Sequence, residues 1–400
     1  MGKDLNGKEL GKGICQRESG KYQARYVDRY KKRHTISHTD LKVLKRMLEK
    51  ARYEAEYSML AGAPKITLEE WFEQFLQLYK VGKVKDTTVY RIRQTFSPCK
   101  RNLLGSMYLS DIRALHVQEL INKLDAEGFA YSTLDLLKAL LKELFKRAMG
   151  NGFIAVNPCD AVVLPKREIY EQRYLTEEEQ KLFLDMAKDK YHYDVMCFCL
   201  TTGVRIGEAL GLKWSDIDFE KGTISIQRTL HYGKVKEEEK CHFFFTTPKT
   251  KTSERTIPML PESEEILRRV RRTQLSNRLL YAKKWHPEEQ FEDMVFTTKQ
   301  GNPVMYGDVN RCIKNVILKI NLQEQELAKA EDREPVEMMP FSPHCFRHTF
   351  ITRCKKNGVP YETIQPYVGH SNKEMTEYYN HHKEEMDATV LKNINFGVVR

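Results

Sequence analysis

Residues 202–208 read Thr-Gly-Val-Arg-Ile-Gly-Glu and place one arginine, Arg205, between two glycines. Gly203 and Gly207 permit close approach of a backbone, because glycine has no Cβ. Glu208 follows about one helical turn after Arg205, so its carboxylate is placed to steady the guanidinium or a nearby histidine. The string alone also fits an ordinary ion-paired helix start, so its meaning depends on the motifs further along the chain.

A second arginine motif lies at residues 342–349, which read Ser-Pro-His-Cys-Phe-Arg-His-Thr. The proline fits the first turn of a helix, and His344 and Arg347 are then one turn apart and face one pocket. Arginine presents a planar, permanently charged fork that matches two phosphate oxygens, so Arg205 and Arg347 together predict a phosphate clamp. His344 is suited to accept or return a proton near neutral pH. His348 is predicted on another face of this helix, in a structural role.

A basic stretch at residues 248–258, Pro-Lys-Thr-Lys-Thr-Ser-Glu-Arg-Thr-Ile-Pro, predicts the turn and second strand of a hairpin. Lys249 begins this turn at the end of the incoming strand. An ammonium group near a partly desolvated phosphate suits protonation of a leaving oxygen. Lys251 is the alternative to Lys249, and a basic turn without chemistry is the plain interpretation of either lysine.

The last motif holds Gly-His-Ser at residues 369–371 and two adjacent tyrosines, Tyr378 and Tyr379. A tyrosine oxygen is a competent nucleophile once a neighbouring group accepts its proton. Strand transfer through a covalent phosphotyrosine would require such a phenol together with arginines, histidines and a lysine. The residues alone leave the choice between the two tyrosines open.

The joint order of these motifs resembles the tyrosine recombinase (phage integrase) family over most of the chain. The likeness is greatest to integrases of conjugative transposons, because a small basic module precedes two larger domains. The family pattern Gly-His-Ser followed by Thr-x-x-Tyr-x-His maps onto this sequence so that Tyr379 is the nucleophile. The resemblance implies that the catalytic residues are Arg205, Lys249, His344, Arg347, His370 and Tyr379, with Glu208 in a supporting role.

The resemblance implies a site-specific DNA recombinase that integrates and excises a mobile element. Its tyrosine would form a 3′-phosphotyrosine, and a 5′-hydroxyl from the partner duplex would reverse the step. Because the bond energy stays in the covalent intermediate, neither a cofactor nor a metal is implied. Two alternatives remain: a type IB topoisomerase-like nicking-closing enzyme, and a DNA-binding regulator without catalytic activity.

The implied partners are double-stranded DNA, at core and arm sites, and further copies of the chain in a synaptic homo-tetramer. An excision directionality factor is a further partner compatible with the family, and no membrane is implied. The tail after Tyr379 carries apolar residues, among them Ile394 and Phe396. This tail is expected to pack either against a neighbouring protomer or on its own domain.

Charge and cysteine content narrow the class of protein. The formal net charge of the 400 residues is +11, which favours a polyanionic partner. The first 60 residues hold 15 basic and 8 acidic side chains, a net of +7, so the excess is concentrated in one module. Nine cysteines without regular spacing favour free thiols, and the amino terminus lacks an apolar signal-peptide core. A cytoplasmic protein is expected.

The expected fold is multidomain and mainly α-helical with small β-sheets. Residues 1–62 are predicted to form an arm-type DNA-binding domain of a small sheet and one helix, and residues 63–165 a helical, SAM-like core-binding domain. Residues 172–400 are predicted to form a mixed α/β catalytic domain with a carboxyl-terminal tail. A hairpin between Gly20 and Ile36 supplies the candidate DNA contacts, although a solvated basic hairpin is the alternative. These contacts are Gln23, Arg25, Arg29, Lys31, Lys32 and Arg33.

Overall fold

The computed structural model describes residues 2–27, 32–57, 65–166, 173–236, 239–246, 254–369, 394 and 396–398. The chain divides into two compact units, Met1–Ile169 with Val235–Glu239, and Tyr170–Lys234 with Lys240–Arg400. The predicted site residues Arg29, Lys31, Lys249, Lys251, His370 and Tyr379 lie outside the described residues.

The amino-terminal part is a small sheet covered by one helix. Its elements are β1 (Gly2–Lys3), β2 (Glu9–Gly11), β3 (Ile14–Gln16), β4 (Tyr22–Val27), β5 (Arg33–His38) and α1 (Leu41–Tyr57). The predicted hairpin is confirmed as the antiparallel pair β4–β5, and β3 extends it to three strands. Ala24 faces a core with Leu44 and Leu48 of α1. The Asp40 carboxylate caps this helix by accepting from the backbone N–H groups of residues 42 and 43.

In the described residues, four α-helices follow and enclose a second core. They are α2 (Leu68–Tyr79), α3 (Asp86–Arg101), α4 (Ala114–Ala126) and α5 (Tyr131–Gly150). Thr67 and Glu70 form a capping box at the start of α2. The Trp71 ring is buried and donates its Nε1–H to the carbonyl of Leu144 at 3.0 Å, so α2 and α5 are joined by packing and by a buried hydrogen bond.

The described residues of the second unit form helices and two small antiparallel sheets. The helices are α6 (Glu177–Ala187), α7 (Tyr193–Thr202), α8 (Ile206–Leu210), α9 (Pro261–Leu280), α10 (Tyr306–Ala330), α11 (His344–Lys356) and α12 (Tyr361–Val368). The strands are β6 (Ile217–Asp218), β7 (Thr223–Ile226), β8 (Thr229–Gly233), β9 (His242–Thr246) and β10 (Arg255–Pro258). The expected class, mainly helical and multidomain with small sheets, is confirmed.

Strand pairing in this unit differs from the sequence prediction. The expected hairpin would have paired the strand before Lys249 with the strand that ends at Pro258. Instead β9 pairs with β8, and β10 pairs with β7. Ile257 of β10 and its register partner Ile224 are both fully buried, so the core selects this pairing over the one between neighbours in sequence.

The described residues of the carboxyl-terminal tail pack on their own domain. Ile394, Phe396 and Val398 are buried in the hydrophobic core of the second unit. The Phe396 ring stacks on Phe350 with 5.2 Å between centroids. The Glu262 carboxylate also accepts the Phe396 backbone N–H at 3.2 Å. This is the second of the two arrangements that the sequence left open.

The helices in the described part of the chain are each too short or too polar to cross a membrane.

Gly203 makes the turn that ends α7. Its φ of +62° is the left-handed conformation that glycine adopts without steric cost. A Cβ at this position would lie 2.4 Å from Cδ1 of Phe350, so the turn and α11 touch without room for a side chain. The Gly203 carbonyl therefore lies directly against the helix that carries His344 and Arg347.

We expect Gly203→Ala to lower the free energy of unfolding by about 2 to 5 kcal/mol, since left-handed strain and overpacking add. Gly222→Ala is the matched control, because Gly222 has a φ of +64° and open space around its Cα. The control should lose only about 1 to 2 kcal/mol. Urea denaturation of both variants measures the difference, and equal losses would contradict the tight contact with Phe350.

Candidate active site

Arg205 is held at the amino-terminal end of α8 by Glu208. The Arg205 Nη1 group donates to Glu208 Oε1 at 2.8 Å, and the Arg205 backbone N–H donates to Oε2 at 3.0 Å. The Glu208 side chain is 4% exposed and the Arg205 side chain 40% exposed. One edge of the guanidinium is therefore fixed to a buried carboxylate while part of the group remains open to a ligand. The prediction that Glu208 steadies this guanidinium is confirmed.

A second arginine, Arg255, shares the same carboxylate. Its Nη2 donates to Glu208 Oε2 at 2.9 Å, and its Nη1 lies 3.4 Å from Oε1. Burial by itself would raise the pKa of Glu208, but the charge and hydrogen bond of Arg255, together with Arg205, hold it below its usual value. Glu208 is therefore an anion that compensates two cations.

Arg255 was not among the site residues predicted from the sequence. The strand pattern nevertheless indicates that its side chain points inward, because side chains alternate along a strand and Arg255 lies two residues before the buried Ile257. An arginine that points inward from a strand requires an acidic partner. That partner is Glu208, which lies 47 positions away in the chain, so the local sequence pattern could not predict it.

Arg347 lies on α11 and is almost completely buried, with 1% of its surface exposed. Its Nη1 donates to the carbonyl of Gly203 at 2.9 Å. Since Gly203 is two residues before Arg205, this hydrogen bond ties the α7–α8 turn to the second arginine motif. The two predicted clamp arginines thus belong to segments that are in direct contact.

His344 and His348 lie side by side on α11, with ring centroids 4.6 Å apart and planes nearly perpendicular. The prediction that His348 faces another side of the helix is wrong, because residues four apart lie on the same helical face. Part of the His344 ring is exposed. Desolvation of the rest lowers its pKa to about 4, and the positive charges of His348, Arg347 and Arg205 act in the same direction.

The segment that leads to His370 is anchored on both arginines of the Glu208 cluster. Arg205 Nη2 donates to the Gly369 carbonyl at 3.3 Å. Arg255 Nε donates to the Tyr367 carbonyl at 2.7 Å. Gly369 has a φ of +69°, and a Cβ there would lie 3.1 Å from Arg255 Nη1. The last described residue before His370 therefore lies at the site.

The structure thus brings together Arg205, Glu208, His344 and Arg347 from separate segments and adds Arg255. Among the predicted DNA contacts, Gln23, Arg25 and Arg33 lie on one face of the amino-terminal sheet, since the cross-strand pairs are Gln23↔Ser37, Arg25↔Thr35 and Val27↔Arg33. Arg25 and Arg33 are exposed, as is Lys32 just before β5.

The sequence of this chain matches two known family descriptions. Residues 173–386 match the family described as Phage integrase family, and residues 67–124 match the Phage integrase, N-terminal SAM-like domain. The transposase from transposon Tn916 of Enterococcus faecalis is 26% identical over 414 residues, with 98% of this chain and 96% of the relative covered. A XerC-like tyrosine recombinase of Caldanaerobacter subterraneus subsp. tengcongensis is 29% identical over 306 residues, or 74% of each chain.

The fold of this chain is also similar to the folds of solved structures. The Tn1549 transposon integrase in complex with transposon right end DNA has a TM-score of 0.64 and 25% identity, with 78% of this chain and 94% of that chain covered. A lambda integrase tetramer bound to a Holliday junction has a TM-score of 0.56 and 18% identity, with 91% and 97% covered.

The fold and the family matches together define the class of the protein, which is a DNA strand-transfer enzyme. The chain belongs to the phage integrase family of tyrosine recombinases, because the family match covers more than half of its length. It is an enzyme of site-specific recombination that cleaves and rejoins DNA strands, and it is most like the integrases of conjugative transposons.

The low pKa of His344 predicts a dependence of stability on pH. The unfolded chain binds this proton near pH 6.5, whereas the folded domain binds it only near pH 4. Acidification between these values therefore favours the unfolded state. We expect His344→Gln to lose less stability than the wild type when the pH falls from 7 to 5, as measured by urea midpoints.

His286→Gln is the control for this prediction, because His286 is an exposed histidine of the same unit that lies outside the site. If both variants show the same change in midpoint on acidification, the environment assigned to His344 is incorrect.

Proposed function

We propose that Tyr379 attacks one DNA phosphodiester while Arg205 and Arg347 hold its nonbridging oxygens. The new bond joins the phenolic oxygen to phosphorus, and the bond from phosphorus to the 5′-oxygen breaks. Negative charge on the phosphorane is then compensated by two guanidinium groups that are fixed before the reaction, which is where electrostatic catalysis has most effect. The observation that carries the proposal is the contact between the Arg205 and Arg347 segments through Gly203.

Proton transfer is assigned to His344 and a lysine. His344 accepts the phenolic proton, and its low pKa keeps the ring neutral and able to accept it before DNA binds. A bound phosphate adds negative charge beside the ring and raises its pKa toward the working range. Lys249 protonates the leaving 5′-oxygen, with Lys251 as the alternative, and His370 donates to a nonbridging oxygen.

The anchored backbone before His370 supports its assignment. Because Arg205 and Arg255 bind the carbonyls of Gly369 and Tyr367, the chain is fixed up to the residue before this histidine. We infer that the imidazole of the next residue, His370, reaches a phosphate bound to Arg205. The reaction conserves the phosphoester bond energy, so the proposal includes no cofactor and no metal.

The domains divide the recognition of DNA among them. We assign arm-site binding to residues 1–62, core-site binding to residues 63–165, and cleavage to residues 172–400. The shared face of Gln23, Arg25 and Arg33 supports the first assignment, because an exposed basic sheet face can enter a major groove. A solvated sheet face without a DNA contact is the alternative.

Recombination of two duplexes requires four strand cleavages, and each chain supplies one Tyr379. We therefore propose a homo-tetramer on DNA, with excision directed by a separate factor and with the reaction located in the cytoplasm. The amino-terminal module favours recombination between bipartite sites over the nicking and closing of a single duplex.

Tyr379→Phe should reduce formation of a covalent protein–DNA adduct on the order of 10⁴-fold or more, since the nucleophile is lost. The substrate is a nicked suicide duplex built from the ends of the mobile element, and denaturing electrophoresis detects the adduct. Tyr378→Phe is the control and should retain the adduct.

Other results of the same experiment identify the alternatives. An adduct that persists in Tyr379→Phe would refute the nucleophile. Absence of an adduct in the wild type on its own ends would favour a regulator. Relaxation of a supercoiled plasmid without joining of two sites would favour the topoisomerase-like enzyme.

Arg25→Ala should weaken binding to a duplex and reduce the slope of log affinity against log salt by about 1, because one phosphate contact is lost. Lys45→Ala removes a charge from the exposed side of α1 and should leave the slope unchanged. Fluorescence anisotropy with the full-length protein measures both slopes. Equal slopes in wild type and Arg25→Ala would favour the solvated sheet face.

A further inference from the structure

Arg255 contacts two parts of the site at once. Its guanidinium has three described donor contacts, of which two reach the Glu208 carboxylate and one reaches the Tyr367 carbonyl. The side chain is 7% exposed, so these contacts lie inside the domain. The arginine is the first residue of β10.

We propose that Arg255 is a positioning residue for strand transfer, which orients Arg205 through Glu208 and fixes the segment before His370 through Tyr367. This inference rests on the proposed function of Arg205 and His370. All three guanidinium nitrogens of Arg255 already contact acceptors of the protein, so it acts through its neighbours and not on the DNA.

Arg255 influences Arg205 because the two arginines bind the same Glu208 carboxylate. Oε1 accepts Nη1 of Arg205, while Oε2 accepts both the Arg205 backbone N–H and Nη2 of Arg255. Removal of Arg255 leaves Oε2 without a cation of its own. The carboxylate is then free to rotate toward Arg205, and the exposed guanidinium moves with it.

Arg255 also fixes the segment before His370, because the residue that it binds there, Tyr367, is buried. Tyr367 is 1% exposed, and its ring stacks on Phe350 of α11 with 5.4 Å between centroids. The Arg255 hydrogen bond to its carbonyl therefore joins β10 to a packed position of α12. Two residues later the Gly369 carbonyl accepts Arg205, so both arginines fix the same turn.

Position 255 requires the planar guanidinium group of an arginine. A guanidinium reaches a carboxylate with two nitrogens and a carbonyl with the third, whereas an ammonium is a point charge. Arg255→Lys keeps the charge next to Glu208 but cannot satisfy the three acceptors in the same geometry. Arg255→Lys is therefore the informative variant, and it leaves the ion pair in place for folding.

The test compares Arg255→Lys with Arg228→Lys, which alters a second partly buried ion pair of the same unit, Arg228 with Asp216, outside the site. Single-turnover cleavage of the nicked suicide duplex is measured at saturating protein, together with the dissociation constant and the thermal midpoint. Arg255→Lys should cleave 10- to 100-fold more slowly. The dissociation constant and the thermal midpoint of Arg255→Lys should be similar to those of Arg228→Lys. Arg228→Lys itself should cleave at the wild-type rate.

A second substrate separates positioning from general damage to the fold. Replacement of one nonbridging oxygen at the scissile phosphate by methyl removes the charge that Arg205 is proposed to hold. The defect of Arg255→Lys should become several-fold smaller on this methylphosphonate than on the phosphodiester. An equal defect on both substrates, or cleavage at the wild-type rate on the phosphodiester, would overturn the inference.

Wild type and Tyr379→Phe are run beside these variants. If the wild type forms no adduct, the proposed function itself has failed. If the wild type forms the adduct and Arg255→Lys matches it, only the positioning role is refuted.

Discussion

The buried carboxylate of Glu208 is the interaction on which the arrangement of the site depends. It is 4% exposed and is shared by Arg205 and Arg255. A buried anion is tolerated only when cations and hydrogen bonds replace its water, and loss of one partner from such a pair costs about 3 to 5 kcal/mol. Because both partners are arginines, the two cations stabilise the buried carboxylate, and the carboxylate in turn fixes the direction of the Arg205 guanidinium.

The α7–α8 turn extends this constraint to the second arginine. Gly203 ends α7 in a left-handed conformation, contacts Phe350 and gives its carbonyl to Arg347. Phe350 in turn lies between the rings of Tyr367 and Phe396. One aromatic stack thus joins α11, α12 and the carboxyl-terminal tail. A shift of any of these elements would alter the distance between the two guanidinium groups.

Local signals predicted much of the secondary structure. The capping boxes at Thr67 and Thr176 each form within four residues of sequence, so the starts of α2 and α6 are set by local contacts. Alternation along β4 gave the buried Ala24 and the exposed Arg25. Pairing of β9 with β10 was wrongly predicted from their proximity in the chain. Burial of a strand against a distant partner outweighed that proximity.

The sequence by itself determined the family of the protein and its mainly helical, multidomain class. Arginines, histidines and tyrosines in a fixed order were enough to identify the family. The tertiary structure decided that Arg255 shares Glu208 with Arg205 and that β10 lies beside β7. The physical reason is that these interactions act over different distances along the chain. Caps and periodicity act between residues a few positions apart, whereas burial of a charge or a strand is set by partners that folding brings together from distant positions.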